Sequence, residues 1–110
     1  MSKKVIEPIN VLSNGDMSGD LASSISTVKY MDNMAYQCAW TGSPSGTLNV
    51  QVSLDGTNWA SLSSTGIDVS GGSPQFIDVN QTSAGYIRCI FTHTMGSSGT
   101  LNILMSSKEI

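Results

Sequence analysis

The sequence predicts an all-β fold, an antiparallel β-sandwich of about eight strands for which a jelly roll is a fitting topology. Three observations predict it. Charged residues make up 12% of the chain, about half the usual share. Ser, Thr, Asn, Gln and Gly fill the balance, whereas coiled coils and bundles need Ala, Glu, Lys and Leu in quantity. Helical periodicity is scarce: the best candidate, Gly19 to Val28, carries Ser23, Ser24, Ser26 and Thr27, which make a poor helix. Short alternating runs, broken by turn residues every 8–12 positions or so, recur along the whole chain.

Val5 to Leu12 reads as an arm or an edge strand, because Pro8 cannot donate a ladder hydrogen bond. Ser13-Asn-Gly-Asp16 is a turn, Ile25 to Tyr30 a second strand, and Asp32-Asn33 a further turn. Met34 to Thr41 alternates, with Tyr36, Cys38 and Trp40 on one face. After the turn-rich Gly42-Ser-Pro-Ser-Gly46, Leu48, Val50, Val52 and Leu54 alternate again, so the two runs read as a hairpin with one apolar face. Asp55-Gly56 is a tight turn. Trp59 to Leu62, Gly66 to Val69 and Gln75 to Val79 are short strands. Tyr86 to Thr94 and Thr100 to Ser106 close the chain, with Ile87, Cys89 and Phe91 on one inward row and Leu101, Ile103 and Met105 on another. Each of these inward side chains contributes roughly 1.5–3 kcal/mol when buried.

The two halves echo each other. Tyr36-Gln-Cys-Ala-Trp-Thr with Ser45-Gly-Thr-Leu-Asn-Val matches Ile87-Arg-Cys-Ile-Phe-Thr with Ser98-Gly-Thr-Leu-Asn-Ile. Cys38 aligns with Cys89, Trp40 with Phe91, Leu48 with Leu101 and Val50 with Ile103. Two similar units fit a sandwich in which each sheet supplies equivalent inward rows.

At 110 residues the chain has room for one core, so residues 1–12 form the arm or edge strand and residues 13–110 a single sandwich. Five Lys and Arg and a net charge of −3 argue against nucleic-acid binding. No run approaches 18 apolar residues, which argues against a membrane helix. The basic start lacks the apolar stretch of a signal peptide, so the expectation is synthesis and use without export. Cys38 and Cys89, 51 residues apart, have no metal spacing and read as two buried thiols, with a disulfide as the other reading.

Catalytic chemistry finds little support. His93 is the sole histidine, and Cys89 lies four strand positions away, roughly 13 Å by strand rise. No catalytic residue, no cofactor site and no enzyme activity are expected. Asp16 and Asp20 flank a Gly-containing loop, but two carboxylates fall short of a calcium motif and read as a solvated turn, so no metal is expected. The sequon Asn80-Gln-Thr82 carries no meaning without export. Trp59 and Tyr86 are the candidate ligand-stacking aromatics, with core packing the leading reading for Trp59. Tyr30 is undecided by the same reasoning, and Lys3-Lys4 is an exposed terminal pair.

Gly15-Asp-Met-Ser-Gly-Asp20, Tyr30-Met-Asp-Asn33, Trp40-Thr-Gly42, Gly46-Thr-Leu-Asn-Val-Gln-Val-Ser53, Asn58-Trp59, Ile77-Asp-Val-Asn-Gln81, Tyr86-Ile-Arg88 and Ser98-Gly-Thr-Leu-Asn102 span most of the chain. Together they resemble small β-sandwich structural proteins of tailed bacteriophage virions. The resemblance implies a non-enzymatic virion component, a head decoration or accessory protein, with the tail as the second location. It implies other virion proteins, capsid or tail subunits, as partners, copies arranged as a homo-oligomer or lattice, and no catalytic residues. On this reading the apolar positions of the arm, Val5, Ile6, Ile9, Val11 and Leu12, are the candidate subunit contact. A second likeness, carried by Val52-Ser-Leu-Asp-Gly-Thr-Asn-Trp59 and Tyr86-Ile-Arg88, is to discoidin-type sandwiches and implies a carbohydrate-binding module as the alternative.

Overall fold

Ten strands form among the described residues of the computed structural model, which are 5–27, 33–62, 66–69, 72–80, 85–94 and 98–108. They are β1 (Val5–Asp16), β2 (Leu21–Ala22), β3 (Ser26–Thr27), β4 (Asn33–Gly42), β5 (Gly46–Ser53), β6 (Ala60–Ser61), β7 (Ile67–Asp68), β8 (Gln75–Asn80), β9 (Tyr86–His93) and β10 (Gly99–Lys108). A front sheet runs β1-β10-β4-β8. A back sheet runs β2-β9-β5-β6, with β3 also on β9 and β7 also on β5. Every pairing is antiparallel.

The strand order is that of a jelly roll. If β2 and β3 count as one interrupted strand on β9, and β6 and β7 as one on β5, eight strand positions remain. The outermost pair in sequence is β1 with β10, then β2/β3 with β9, then β4 with β8, and the innermost is β5 with β6/β7. That nesting is one long antiparallel ribbon. Wrapping it on itself adds the pairs β10 with β4 and β9 with β5, and so closes two sheets over one core.

The core follows from alternation. Met34, Tyr36 and Cys38 point inward from β4, Leu101, Ile103 and Met105 from β10, and Ile77 and Val79 from β8. Leu48 and Val50 on β5 and Ile87, Cys89 and Phe91 on β9 meet them from the other sheet. Met17, fully buried just beyond β1, plugs the end of the core and donates its backbone N–H to the Gly99 carbonyl at 2.9 Å.

Four expectations need correction. Ser13 to Asp16 is not a turn but the end of β1, with Gly15 opposite Leu101 and Asp16 opposite Thr100. Neither sequence unit is a hairpin. Both edges of β4 are taken, by β10 and β8, so β5 has no edge to join and crosses to the back sheet. β9 and β10 do the same in reverse. Leu54 is not inward; it is 80% exposed. β5 ends at Ser53, whose buried hydroxyl accepts the N–H groups of Asp55 and Gly56 and turns the chain before Leu54 can continue the row. Trp40 is half-buried beside the core: the pairing of β4 with β8 stops at Cys38, and beyond it the Ser73 hydroxyl accepts the Trp40 backbone N–H at 2.9 Å.

The echo is a pseudo-two-fold relation correct to the residue. It carries β4 onto β9 and β5 onto β10. The pair Leu101–Trp40 then falls on Leu48–Phe91, Ile103–Cys38 on Val50–Cys89, and Met105–Tyr36 on Val52–Ile87, and each is an observed register pair. Gly46 and Gly99 are equivalent too. A Cβ at Gly46 would run into the Thr92 carbonyl, and one at Gly99 into the Thr41 carbonyl, so both crossings use glycine for close backbone approach. Cys38 and Cys89 exchange places under the same operation and meet across the core, Sγ to Sγ 4.0 Å, as free thiols.

Candidate functional site

The arm residues belong to β1, the edge strand of the front sheet, which pairs with β10 of its own chain from Val5 opposite Lys108 to Asp16 opposite Thr100. Register shifts after Ile6, Asn10 and Leu12 break its regularity, and Pro8 removes one donor from it. Val11 is buried, Leu12 packs on the core, and Ile9 is 46% exposed. The side chains of Val5 and Ile6 lie outside the described residues, as do Lys3, Lys4 and Tyr30 and, beyond Asn80, the rest of the sequon.

The outer face of the back sheet is a polar ladder. Arg88 lies opposite Gln51 on β5, and Gln51 opposite Ser61 on β6. The Arg88 Nε–H donates to Gln51 Oε1 at 2.8 Å, and Gln51 Nε2 donates to the Ser61 hydroxyl at 3.4 Å. The Arg88 guanidinium lies 4.3 Å from the centre of the Trp59 ring, a cation–π contact. Gly56, with φ 78°, lies under the Tyr86 ring, so Tyr86 leans on the turn after β5. Both stacking candidates are thus placed at this face, and one face of Trp59 is covered by Arg88.

Asp55 organises that turn. Its carboxylate accepts the N–H groups of Thr57 and Asn58, each at 2.8 Å, and the Asn58 side-chain amide at 2.7 Å. These donors, the Asn58 backbone first, hold its carboxyl well below the usual range.

The outer face of the front sheet is different. One row across β1, β10, β4 and β8 reads Asn10, Leu104, Gln37 and Phe76. Phe76 is 62% and Leu104 38% exposed. With Pro8, Ala35 and Ser106 they line a shallow groove of about 110 Å³. A second cleft, about 390 Å³, lies between Trp40, Pro44 and Ser73 at the end of the sandwich.

Among the described residues, the titratable groups that meet are Tyr36, Cys38 and Cys89 in the core. The His93 backbone N–H donates to Asp20 Oδ1 at 2.7 Å, and its Nδ1 is buried with no partner among the described residues. Asp16 instead accepts the Ser18 N–H at 3.0 Å, which lowers its pKa. No cluster of three or more metal-ligating side chains occurs among the described residues. The Tyr36 phenol is pushed far up by burial first and then by the Cys89 and Cys38 thiols; Cys89 is pushed up by its hydrogen bond with Cys38 and then by burial. Both thiols are fully buried and pack as small apolar groups.

What sequence reasoning missed is the front groove. Phe76 sits in a run, Gln75 to Val79, whose alternation puts Phe76 opposite to Ile77 and Val79, and that out-of-phase aromatic was the available signal.

A scan of family models finds no match to the chain, and none of the curated proteins matches it by sequence. Solved structures do match. The SPBc2 prophage-derived protein YomS aligns with a TM-score of 0.69 at 7% identity, covering 99% of this chain and 96% of that one. A structure of Triatoma virus aligns at 0.52 and 8% identity, over 94% of this chain and 64% of that one. A structure of infectious bursal disease virus, Gx strain, aligns at 0.51 and 10% identity, over 97% of this chain and 32% of that one. At these identities the likeness is one of fold: the chain shares its wrapped two-sheet architecture with a prophage-derived protein of nearly the same extent and with parts of two virus structures.

Proposed function

We propose that the chain is a non-enzymatic structural component of a bacteriophage virion, acting by surface complementarity with other virion subunits as a head decoration or accessory protein. The observation that carries this reading is the end-to-end fold match to a prophage-derived protein, 99% of one chain on 96% of the other. The burial of the titratable groups that meet agrees with it, since catalysis needs an acid, base or nucleophile held where substrate can reach it. The low charge suits it as well, because copies packed at high local density repel weakly at −3 each.

The experiment is a mass-spectrometric inventory of purified particles, followed by separate pull-downs on isolated heads and isolated tails. The expected result is recovery in the particle at a copy number fixed by the lattice, with retention on heads. Recovery on tails alone moves the protein to the tail. Absence from particles overturns the virion reading. Titration of a glycan panel against Trp fluorescence addresses the carbohydrate-binding alternative, with no response expected.

A further inference from the structure

We infer that the outer face of the front sheet is a self-association surface, on which a second copy of this chain packs sheet to sheet about a two-fold axis. Four observations carry it. The face has an apolar centre: Leu104 on β10 and Phe76 on β8, exposed around the shallow groove that Pro8 and Ala35 help line. An apolar centre rimmed by polar positions is the composition of an interaction surface. Its rim carries little charge. By register the charges on this face are Asp16 at the end of β1, Asp78 on β8 and Lys108 at the end of β10; the positions between them, such as Asn102, Ser106 and Thr41, are uncharged. Two copies of a face with so little charge meet without the repulsion that two acidic faces would suffer.

The area is also right. Four strands of 12, 10, 10 and 6 residues, spaced about 4.8 Å apart and rising about 3.4 Å per residue, present roughly 620 Å² per copy, or roughly 1,240 Å² per pair, at the lower end of the range of specific interfaces. Finally, knob and groove share the face, as isologous pairing requires: a two-fold axis between facing sheets seats Phe76 of each copy on the groove of the other. The opposite face offers no such centre, since Arg88, Gln51 and Ser61 bond one another there. The inference goes beyond the virion reading and does not rest on it.

The test is sedimentation equilibrium of the full chain up to about 1 mM, the weak limit of specific association. The expected species is a dimer, twice 11.6 kDa. Leu104→Lys and Phe76→Lys should each weaken it at least tenfold while the far-UV spectrum and unfolding midpoint stay native-like. Leu54→Lys makes the same change at an exposed leucine outside this face and should leave the dimer intact. A monomer throughout the concentration range overturns the inference, as does a dimer that survives both front-face substitutions or is lost equally in Leu54→Lys. A chain that stays monomeric yet loses particle binding in Leu104→Lys assigns the face to a different virion subunit and also overturns it. A self-associating chain absent from particles would sink the virion reading alone.

Discussion

The two outer faces hold equivalent places in the fold and opposite chemistry. The pseudo-two-fold that superposes the inward rows also carries Gln37 onto Arg88 and Leu104 onto Gln51. On the back, that register pair is a hydrogen bond of 2.8 Å, extended to Ser61 and covered by Trp59. On the front, it is an amide beside an exposed leucine, flanked by exposed Phe76. One backbone geometry therefore supplies a core that must match and two surfaces that need not. The back face bonds Arg88, Gln51 and Ser61 to one another; the front face leaves Leu104 and Phe76 exposed.

The strongest way to break the comparison is to attack what the two halves share. Gly46→Ala and Gly99→Ala should each cost about 3 kcal/mol in chemical denaturation, because a Cβ meets a carbonyl of the neighbouring strand at both crossings. Similar losses are expected at the two sites; a harmless change at one would show that the halves are not mechanically equivalent. Next, Cys38→Ser and Cys89→Ser should each cost about 1–3 kcal/mol by placing a hydroxyl in an apolar core, again nearly alike, as read from thermal unfolding.

Exchanging the outer rows sharpens the contrast with little effect on stability. The double substitution Leu104→Gln with Gln37→Arg writes the back-face pair onto the front. It should change stability by less than about 0.5 kcal/mol, since both positions are surface-exposed. Self-association in sedimentation should nevertheless fall. The smallest effect belongs to acid. The folded turn lowers the Asp55 pKa below its ordinary 3.8, so this carboxylate stabilises the fold above that pH. The contribution fades as pH falls from near 3.8 through the lower folded value. Asp55→Asn should flatten that acid limb in pH-dependent melting and leave neutral-pH association unchanged.

Much of the interior was legible because alternation is a local property. Tyr36, Cys38, Leu48, Val50, Ile87, Cys89, Phe91, Leu101, Ile103 and Met105 are all buried as their parity requires. Parity says which way a side chain points, not which strand lies beside it. A five-residue stretch such as Gly42 to Gly46 serves equally for a hairpin or for a crossing between sheets, and occupancy of both β4 edges decides for crossing. Leu54 failed because a serine hydroxyl ended the strand one residue early. Met17 was invisible because its burial comes from a loop folding over the core end, which no periodicity encodes. The front groove is assembled from β1, β4, β8 and β10, so its residues come together only in the folded sheet.

The place of β10 in the front sheet has a consequence for how the protein is made. This strand, residues 99–108, lies between β1 and β4. While a ribosome is still extending the chain, β1 has emerged and has no neighbour, and β4 has one edge open. The front sheet can therefore close only after residue 108 clears the exit tunnel, and until then two strand edges stay unpaired. Closure of the front sheet is gated by the longest-range pairing among the described strands and is slow for that reason. The newborn chain's exposure to aggregation is set by how long it waits for ten residues.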